Sequence, residues 1–300
     1  MCGIIGIVGT SPVAGRLIDS LRRLEYRGYD SAGVAAIDGE ALIVRRAAGK
    51  IRNLETVLAE APLNGSVGIG HTRWATHGPP VLRNAHPQRA GRVCVVHNGI
   101  IENFAELKRE LAADGRTFTS DTDTEVIAHL IDRELGRGQA PLAALKTTLD
   151  RLTGAFALGV MIEGEANLIL GARRGSPLVI GEGEGEMFLG SDALAVGPFT
   201  QRVTYLEEGD FVALDHDRAE IFDVTGAAVT RAMRIVPASA GLVEKGAYRH
   251  FMEKEIHEQP DAVQHTASAY LDPVAMTASA PQGFDFASIQ RIQIIACGTA

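Results

Sequence analysis

The residue whose type and position could do the most chemistry is Cys2. It follows the initiator methionine and precedes Gly3. Initiator methionine is commonly removed before a small residue, and removal of Met1 would leave Cys2 with both a thiol and a free α-amine. The free groups titrate near 8.5 and about 7.7–8.0. The amine would then sit close to working pH, where a general base is most efficient, and the thiolate is the attacking species. One residue could thus supply nucleophile and base, directly or through a water. With Met1 retained, the same residue reads as a buried structural cysteine.

Three further segments carry chemistry-bearing side chains. Residues 70–78 contain His71, Arg73, Trp74, Thr76 and His77 where a strand runs into a loop. An arginine there is a natural bidentate clamp for a carboxylate, to which Thr76 and His77 can add hydrogen bonds. Trp74, the chain's single tryptophan, fits either a core position or a bulky gate over a small pocket. In residues 95–103 a strand runs into Asn98-Gly99. That dipeptide fits a tight hairpin turn. It also fits an oxyanion hole made of a carboxamide and the next N–H, where one donor contributes about 2.7–4 kcal/mol to the transition state. Residues 120–125 hold Thr122, Asp123 and Glu125 ahead of an apolar helical pattern. Thr122 with Glu125 fits a capping box, and the Asp123 carboxylate could bind a substrate ammonium. Taken together these residues describe an amino-acid site. Arg73 meets the carboxylate, Asp123 the ammonium, Cys2 attacks an amide carbon, and Asn98 with Gly99 holds the oxyanion.

The elements that must position these groups are legible from periodicity. Strands are expected at residues 4–8, 34–37, 41–47, 66–74 and 92–101, and six more between 155 and 224. Helices are expected at 11–24 with Ser11 as cap, and at 54–61, 103–113, 123–135 and 141–152. Strands, then helices, then strands give an α+β layered sandwich rather than a doubly wound parallel sheet. Asp38-Gly39 marks a hairpin. The Gly/Glu alternation at 181–186 reads as a solvated hairpin, since its three glutamates would repel a phosphate. Residues 171–177 read as a strand end and turn from which Arg173 could reach a partner domain.

Composition narrows the class. The 300 residues carry 29 Lys+Arg against 37 Asp+Glu, a net charge of −8. This argues against a nucleic-acid binder or an electrostatic membrane binder. No apolar stretch approaches the ~20 residues of a membrane span, and no basic n-region precedes the first apolar run. A cytoplasmic protein is expected. Cys2, Cys94 and Cys297 are too few for a disulfide scaffold. His71, His77, His86 and His97, with Cys94 three residues before His97, lack the spacing of a zinc site, so neither metal nor cofactor is expected.

On these residues the sequence resembles the class II glutamine amidotransferases, which are N-terminal nucleophile hydrolases. The matching segments are residues 1–7, 26–33, 71–78, 97–103 and 120–125. The resemblance implies a four-layer αββα sandwich over residues 1–240, with Cys2 as nucleophile and Asn98 and Gly99 as oxyanion hole. It implies that Arg73, Thr76, His77, Gly99 and Asp123 bind glutamine, that Arg27 and His86 support the site, and that Trp74 gates ammonia passage. Residues 248–260 and 294–299 resemble the linker and first isomerase strand of the branch that delivers ammonia to fructose 6-phosphate. They suggest a linker over 241–288 and the start of a sugar-isomerase (SIS) domain at 289–300. That domain usually has a serine where this chain has Ala300. The branch implies a homodimer for the longer protein. The alternatives are the glutaminase half of another amidotransferase, such as the phosphoribosylamine-forming one, a metalloenzyme, a Cys–His protease built on Cys94, and a non-catalytic amino-acid sensor.

Overall fold

The computed structural model describes residues 2–236, 248, 250–268, 270–272, 276–278 and 288–293. The chain divides into two compact units, Met1–Glu244 and Lys245–Ala300. In chain order the first unit contains strands β1 Gly3–Val8, β2 Ser31–Asp38, β3 Ala41–Ala48, β4 Val67–Arg73, β5 Gln88–Ala90, β6 Val93–Ile101, β7 Gly154–Ile162, β8 Ile169–Arg174, β9 Val179–Glu182, β10 Met187–Gly190, β11 Arg202–Tyr205, β12 Phe211–Leu214, β13 Ala219–Phe222, β14 Ala228–Val229 and β15 Met233–Ile235. Its helices are α1 Ala14–Leu24, α2 Ile51–Glu60, α3 Phe104–Ala113, α4 Glu125–Gly136, α5 Pro141–Leu149 and α6 Ala193–Val196.

Two antiparallel sheets form, ordered β15-β11-β9-β10-β1-β4-β2-β3 and β14-β13-β12-β8-β7-β6-β5. Their alternating side chains build three apolar layers, because successive residues of a strand face opposite sides. Ile4, Val8, Val67 and Ile69 of the first sheet meet Cys94, Val96, Ala157, Met161 and Val212 of the second. Ile5, Ile7, Val34 and Phe188 face outward onto Leu17, Leu21 and Leu24 of α1 and Leu54 of α2. Val93, Val95, Phe156 and Leu158 face outward onto α3, α4 and α5 through Leu111, Val126, Leu130 and Leu145. Each large aliphatic side chain removed from water contributes roughly 1.5–3 kcal/mol. The result is the expected four-layer αββα sandwich.

The Asp38-Gly39 hairpin forms between β2 and β3, with Gly39 at φ +64°, and residues 183–186 form the β9–β10 hairpin. Helix α1 starts later than expected. Ser11 is not its cap: the N-cap is Val13, without a side-chain bond, and its backbone N–H instead donates to Gly65 O at 2.9 Å. The capping box of Thr122 and Glu125 is also absent. The N-cap of α4 is Thr124, with no side-chain cap, and Glu125 reaches back to Thr119 and Ser120. Strands β5, β11, β14 and β15 and the short α6 were not foreseen.

The described part of the second unit contains α7 Phe251–Ser268, within the stretch expected as a linker, and a small hairpin of β16 Leu271–Asp272 with β17 Thr277–Ala278. Of the isomerase start expected at 289–300, residues 294–300, with Cys297, lie outside the described residues.

Candidate active site

The site lies at one end of the gap between the sheets. β1 pairs with β4 in the register Gly3↔Thr72, which sets Cys2 beside Arg73 and Trp74. Alternation puts His71 and Arg73 on the face of β4 that looks toward the second sheet. On β6, the same alternation turns Asn98 toward the first sheet and His97 toward α4. A cavity of about 300 Å³ opens there. Its lining includes Cys2, Arg73, Thr76, Asn98, Gly99 and Asp123, which the sequence had grouped, together with Arg27, Trp74 and His86. His77 is not part of the lining; its ring packs edge-on against Phe104 at 5.3 Å, and its carbonyl accepts from Arg73.

The Cys2 sulfur is held by the Trp74 backbone. Trp74 N–H donates to Sγ at 3.2 Å, and the thiol donates to Trp74 O at 3.5 Å. Burial raises the Cys2 thiol above its ordinary value, while the Trp74 N–H and the nearby Arg73 charge pull it back. The Trp74 ring is 45 % exposed, which rules out the core position. It rests edge-on against Tyr29, with ring centroids 5.4 Å apart.

The loop after β4 is fixed from two sides. Asp30 accepts from Ala75 N–H at 2.8 Å, and its own N–H donates to Arg73 O at 3.0 Å. Gly28 must be glycine here, since a Cβ would lie 2.7 Å from the Arg73 carbonyl carbon. Within the loop, the Arg73 guanidinium donates to the carbonyls of His77, Gly78 and Pro79. Across the cavity, Asp123 accepts Ile101 N–H at 2.8 Å through Oδ2. Arg27 pairs with Asp192, whose other oxygen caps α6 by accepting from Leu194 N–H.

Asn98-Gly99 is not a hairpin turn. β6 runs through it, paired with β7 from Val93 to Ile101. Gly99 sits at φ +128°, and a Cβ there would lie 2.0 Å from Ala155 O. Asn98 Nδ2 donates to Cys2 O at 3.0 Å, and Asn98 Oδ1 accepts from His71 Nε2 at 3.0 Å.

Three buried histidines, of which His86 and His97 line the cavity, share a network. His97 N–H donates to His86 Nδ1 at 3.4 Å. That bond leaves the His86 proton on Nε2, which donates to Thr124 Oγ1 at 3.2 Å. The Thr124 hydroxyl then donates to His97 Nδ1 at 3.0 Å. Each ring is neutral in this scheme, since one nitrogen must accept or stays unpartnered. Burial holds His71 down to about 3, His86 well below its ordinary value and His97 below it.

The pattern of residues in the sequence did not point to Thr124, Ser176, Pro177 or Ser191, which also line the cavity. The turn noted at 171–177 was the one available signal for Ser176 and Pro177. Arg173 donates to Leu206 O at 2.6 Å and pairs with Glu208.

A cysteine leading a central strand into the gap of an αββα sandwich, opposite an Asn-Gly pair, is the arrangement expected of a class II glutamine amidotransferase domain. Residues 80–197 match the family described as a glutamine amidotransferase domain. Among curated proteins, the chain is 69 % identical over 300 residues to the glutamine–fructose-6-phosphate aminotransferase [isomerizing] of Caulobacter vibrioides. It is 57 % identical over 302 residues to that of Bradyrhizobium diazoefficiens. All of this chain is covered in both cases, and it spans about half the length (50 %) of these relatives. Among solved structures, the glutamine phosphoribosylpyrophosphate amidotransferase of B. subtilis superposes with a TM-score of 0.65 at 28 % identity, covering 76 % of this chain and 50 % of that one.

Proposed function

We propose that the cavity hydrolyses glutamine to glutamate and ammonia. The observation that carries this is the convergence of the Cys2 sulfur, the Asn98-Gly99 pair, Arg73 and Asp123 on one cavity. The substrate α-carboxylate lies toward Arg73 and its ammonium toward Asp123, which brings the side-chain amide to Cys2. With Met1 removed, the Cys2 α-amine takes the thiol proton, directly or through a water. The thiolate attacks the amide carbon, and the oxygen gains negative charge between Asn98 Nδ2–H and Gly99 N–H. The C–N bond breaks as the amine returns its proton to the departing ammonia. Water then hydrolyses the γ-glutamyl thioester, releasing glutamate and restoring the thiol. Thr76 and His77 support the substrate end, Arg27 and His86 the walls, and Trp74 covers the mouth through which ammonia leaves.

In the longer protein the ammonia converts fructose 6-phosphate to glucosamine 6-phosphate, on a sugar-isomerase domain that follows residue 289 after a linker from 241. The full-chain likeness to glutamine–fructose-6-phosphate aminotransferases favours this acceptor over phosphoribosyl pyrophosphate. That protein acts in the cytoplasm as a homodimer. Among the described residues no helix is long and apolar enough to cross a membrane.

Glutamate release by the purified chain, with intact mass confirming Cys2 as first residue, tests the reading. Cys2→Ala must abolish turnover; retained glutaminase activity in that variant refutes it. Assaying the longer protein with fructose 6-phosphate against phosphoribosyl pyrophosphate decides the acceptor.

A further inference from the structure

We propose that His71 is a positioning residue for glutamine hydrolysis, its ring N–H fixing the Asn98 carboxamide in the one orientation that presents an N–H to the oxygen under attack. The inference rests on the reading of Asn98 as an oxyanion donor and goes beyond it to what makes the donor work. A carboxamide can turn over by 180°, exchanging donor for acceptor. Here both ends of the chain of bonds forbid the exchange. At one end the Cys2 carbonyl, 3.0 Å from Asn98 Nδ2, can only accept. At the other end the His97 carbonyl, 3.1 Å from His71 Nε2, can only accept as well. His71 therefore carries its proton on Nε2 and shares it between His97 O and Asn98 Oδ1. Turning the carboxamide over would set Oδ1 against the Cys2 carbonyl and Nδ2 against the His71 N–H, two repulsions in place of two hydrogen bonds. Of the two Nδ2 hydrogens, one is spent on Cys2 O and the second remains for the substrate oxygen.

The ring itself is held still. His71 is completely buried and lies against the face of His86, with centroids 4.3 Å apart and planes inclined by 31°. Among the described residues its Nδ1 has no hydrogen-bond partner, so no second interaction there competes for the tautomer. His86 is in turn tied through Thr124 to His97. His71, which is not among the lining residues, thus acts from behind Asn98 and need not touch glutamine.

A double-mutant cycle in the full chain tests this. Asn98→Ala is expected to lower kcat by roughly 10²–10³-fold, as loss of an oxyanion donor does. His71→Leu is expected to lower kcat about tenfold or more while KM stays within about twofold, since only transition-state binding is lost. Combining the two should be no worse than Asn98→Ala alone, because residues acting through one group are not additive. His71→Gln, whose terminal N–H can stand where Nε2–H stood, should recover most of the lost kcat. Multiplication of the two single effects, or a His71→Gln chain no better than His71→Leu, overturns the positioning role and leaves the oxyanion reading intact. An unchanged kcat in Asn98→Ala overturns the oxyanion reading and the positioning role together. The ring state is read independently of any variant by NMR of histidine-labelled protein. An Nε2–H tautomer is expected for His71, and an Nδ1–H or doubly protonated ring refutes the proposal.

Discussion

The Trp74 backbone grips the Cys2 sulfur from both directions, its N–H 3.2 Å and its carbonyl 3.5 Å from Sγ. The resting thiol therefore keeps its proton on sulfur, directed at Trp74 O, and burial raises it above its ordinary value. A nucleophile stored in this way needs a base at the moment of attack.

Alkylation by iodoacetamide should show this. Without glutamine, Cys2 should react slowly at pH 7 and accelerate through and beyond the ordinary thiol range near 8.5, because the thiolate is the reactive form. Cys94, fully buried and pushed up to about 12, should stay unmodified across that range. Peptide mapping of alkylated protein gives both rates, and a Cys2 that reacts at its full rate at pH 7 contradicts the stored thiol.

Gly99→Ala should disable the site through the backbone. The new Cβ would meet Ala155 O at 2.0 Å, at φ +128°. Strain of this kind costs about 1–3 kcal/mol, and relief requires β6 and β7 to part where Asn98 is held. A loss of several degrees in melting temperature is expected, with kcat falling far more than glutamine affinity measured by calorimetry in a Cys2→Ala background.

Much of this architecture was legible because apolar alternation survives in the sequence. β1, β4, β6 and β7 each announce themselves as short apolar runs, and their order gave the sandwich. The grouping of Cys2, Arg73, Asn98, Gly99 and Asp123 was legible because each belongs to a distinctive local motif. Thr124 and the role of His71 were not. Their partners, His86, His97 and Asn98, are 26 to 38 residues away, and only the register of two facing sheets brings them together. The expected cap at Ser11 failed for the same reason, because the contact from Val13 to Gly65 crosses the fold and sets where α1 begins. Asn98-Gly99 looked equally like a turn, and only the continuous β6–β7 ladder excludes that.

The neutral histidines should make the fold acid-sensitive above the carboxylate range. Unfolded histidines titrate near 6.5, whereas burial holds His71 down to about 3 and His86 and His97 below that ordinary value. Below pH 6.5 the unfolded chain binds more protons than the native one, so stability falls as pH falls. Each ring that stays neutral contributes a slope of up to about 1.4 kcal/mol per pH unit. Denaturant midpoints between pH 7 and 5 isolate this window, because Glu110 and Glu125, both lowered to about 2, lose their contribution only at lower pH. His86→Gln should flatten the slope by one proton, and an unchanged slope would mean that His86 is charged in the native state.

Glu125 should govern substrate affinity without touching substrate. Burial alone would raise its carboxyl, yet its hydrogen bonds outweigh this and bring it to about 2. It accepts Thr119 N–H at 2.8 Å, Thr119 Oγ1 at 3.0 Å, Ser120 N–H at 2.7 Å and Ser120 Oγ at 2.7 Å. These bonds draw residues 119–120 onto the first turn of α4 and so shape the loop that delivers Asp123 to the cavity and to Ile101 N–H. Glu125→Ala would strand the two Ser120 donors at a buried position, where each unmet bond costs about 1–3 kcal/mol. The variant should lose about 3 kcal/mol of stability. Its KM for glutamine should rise more than its kcat falls, since Asp123 moves while Cys2 and Asn98 stay in place. In the parent chain the Glu125 contribution is complete above its unfolded value near 4.5 and is lost as pH falls toward about 2. Urea titrations of the two proteins should therefore differ by the full amount at pH 6 and converge toward pH 2. If kcat collapses while KM holds, the loop positions the nucleophile's surroundings rather than the ammonium site.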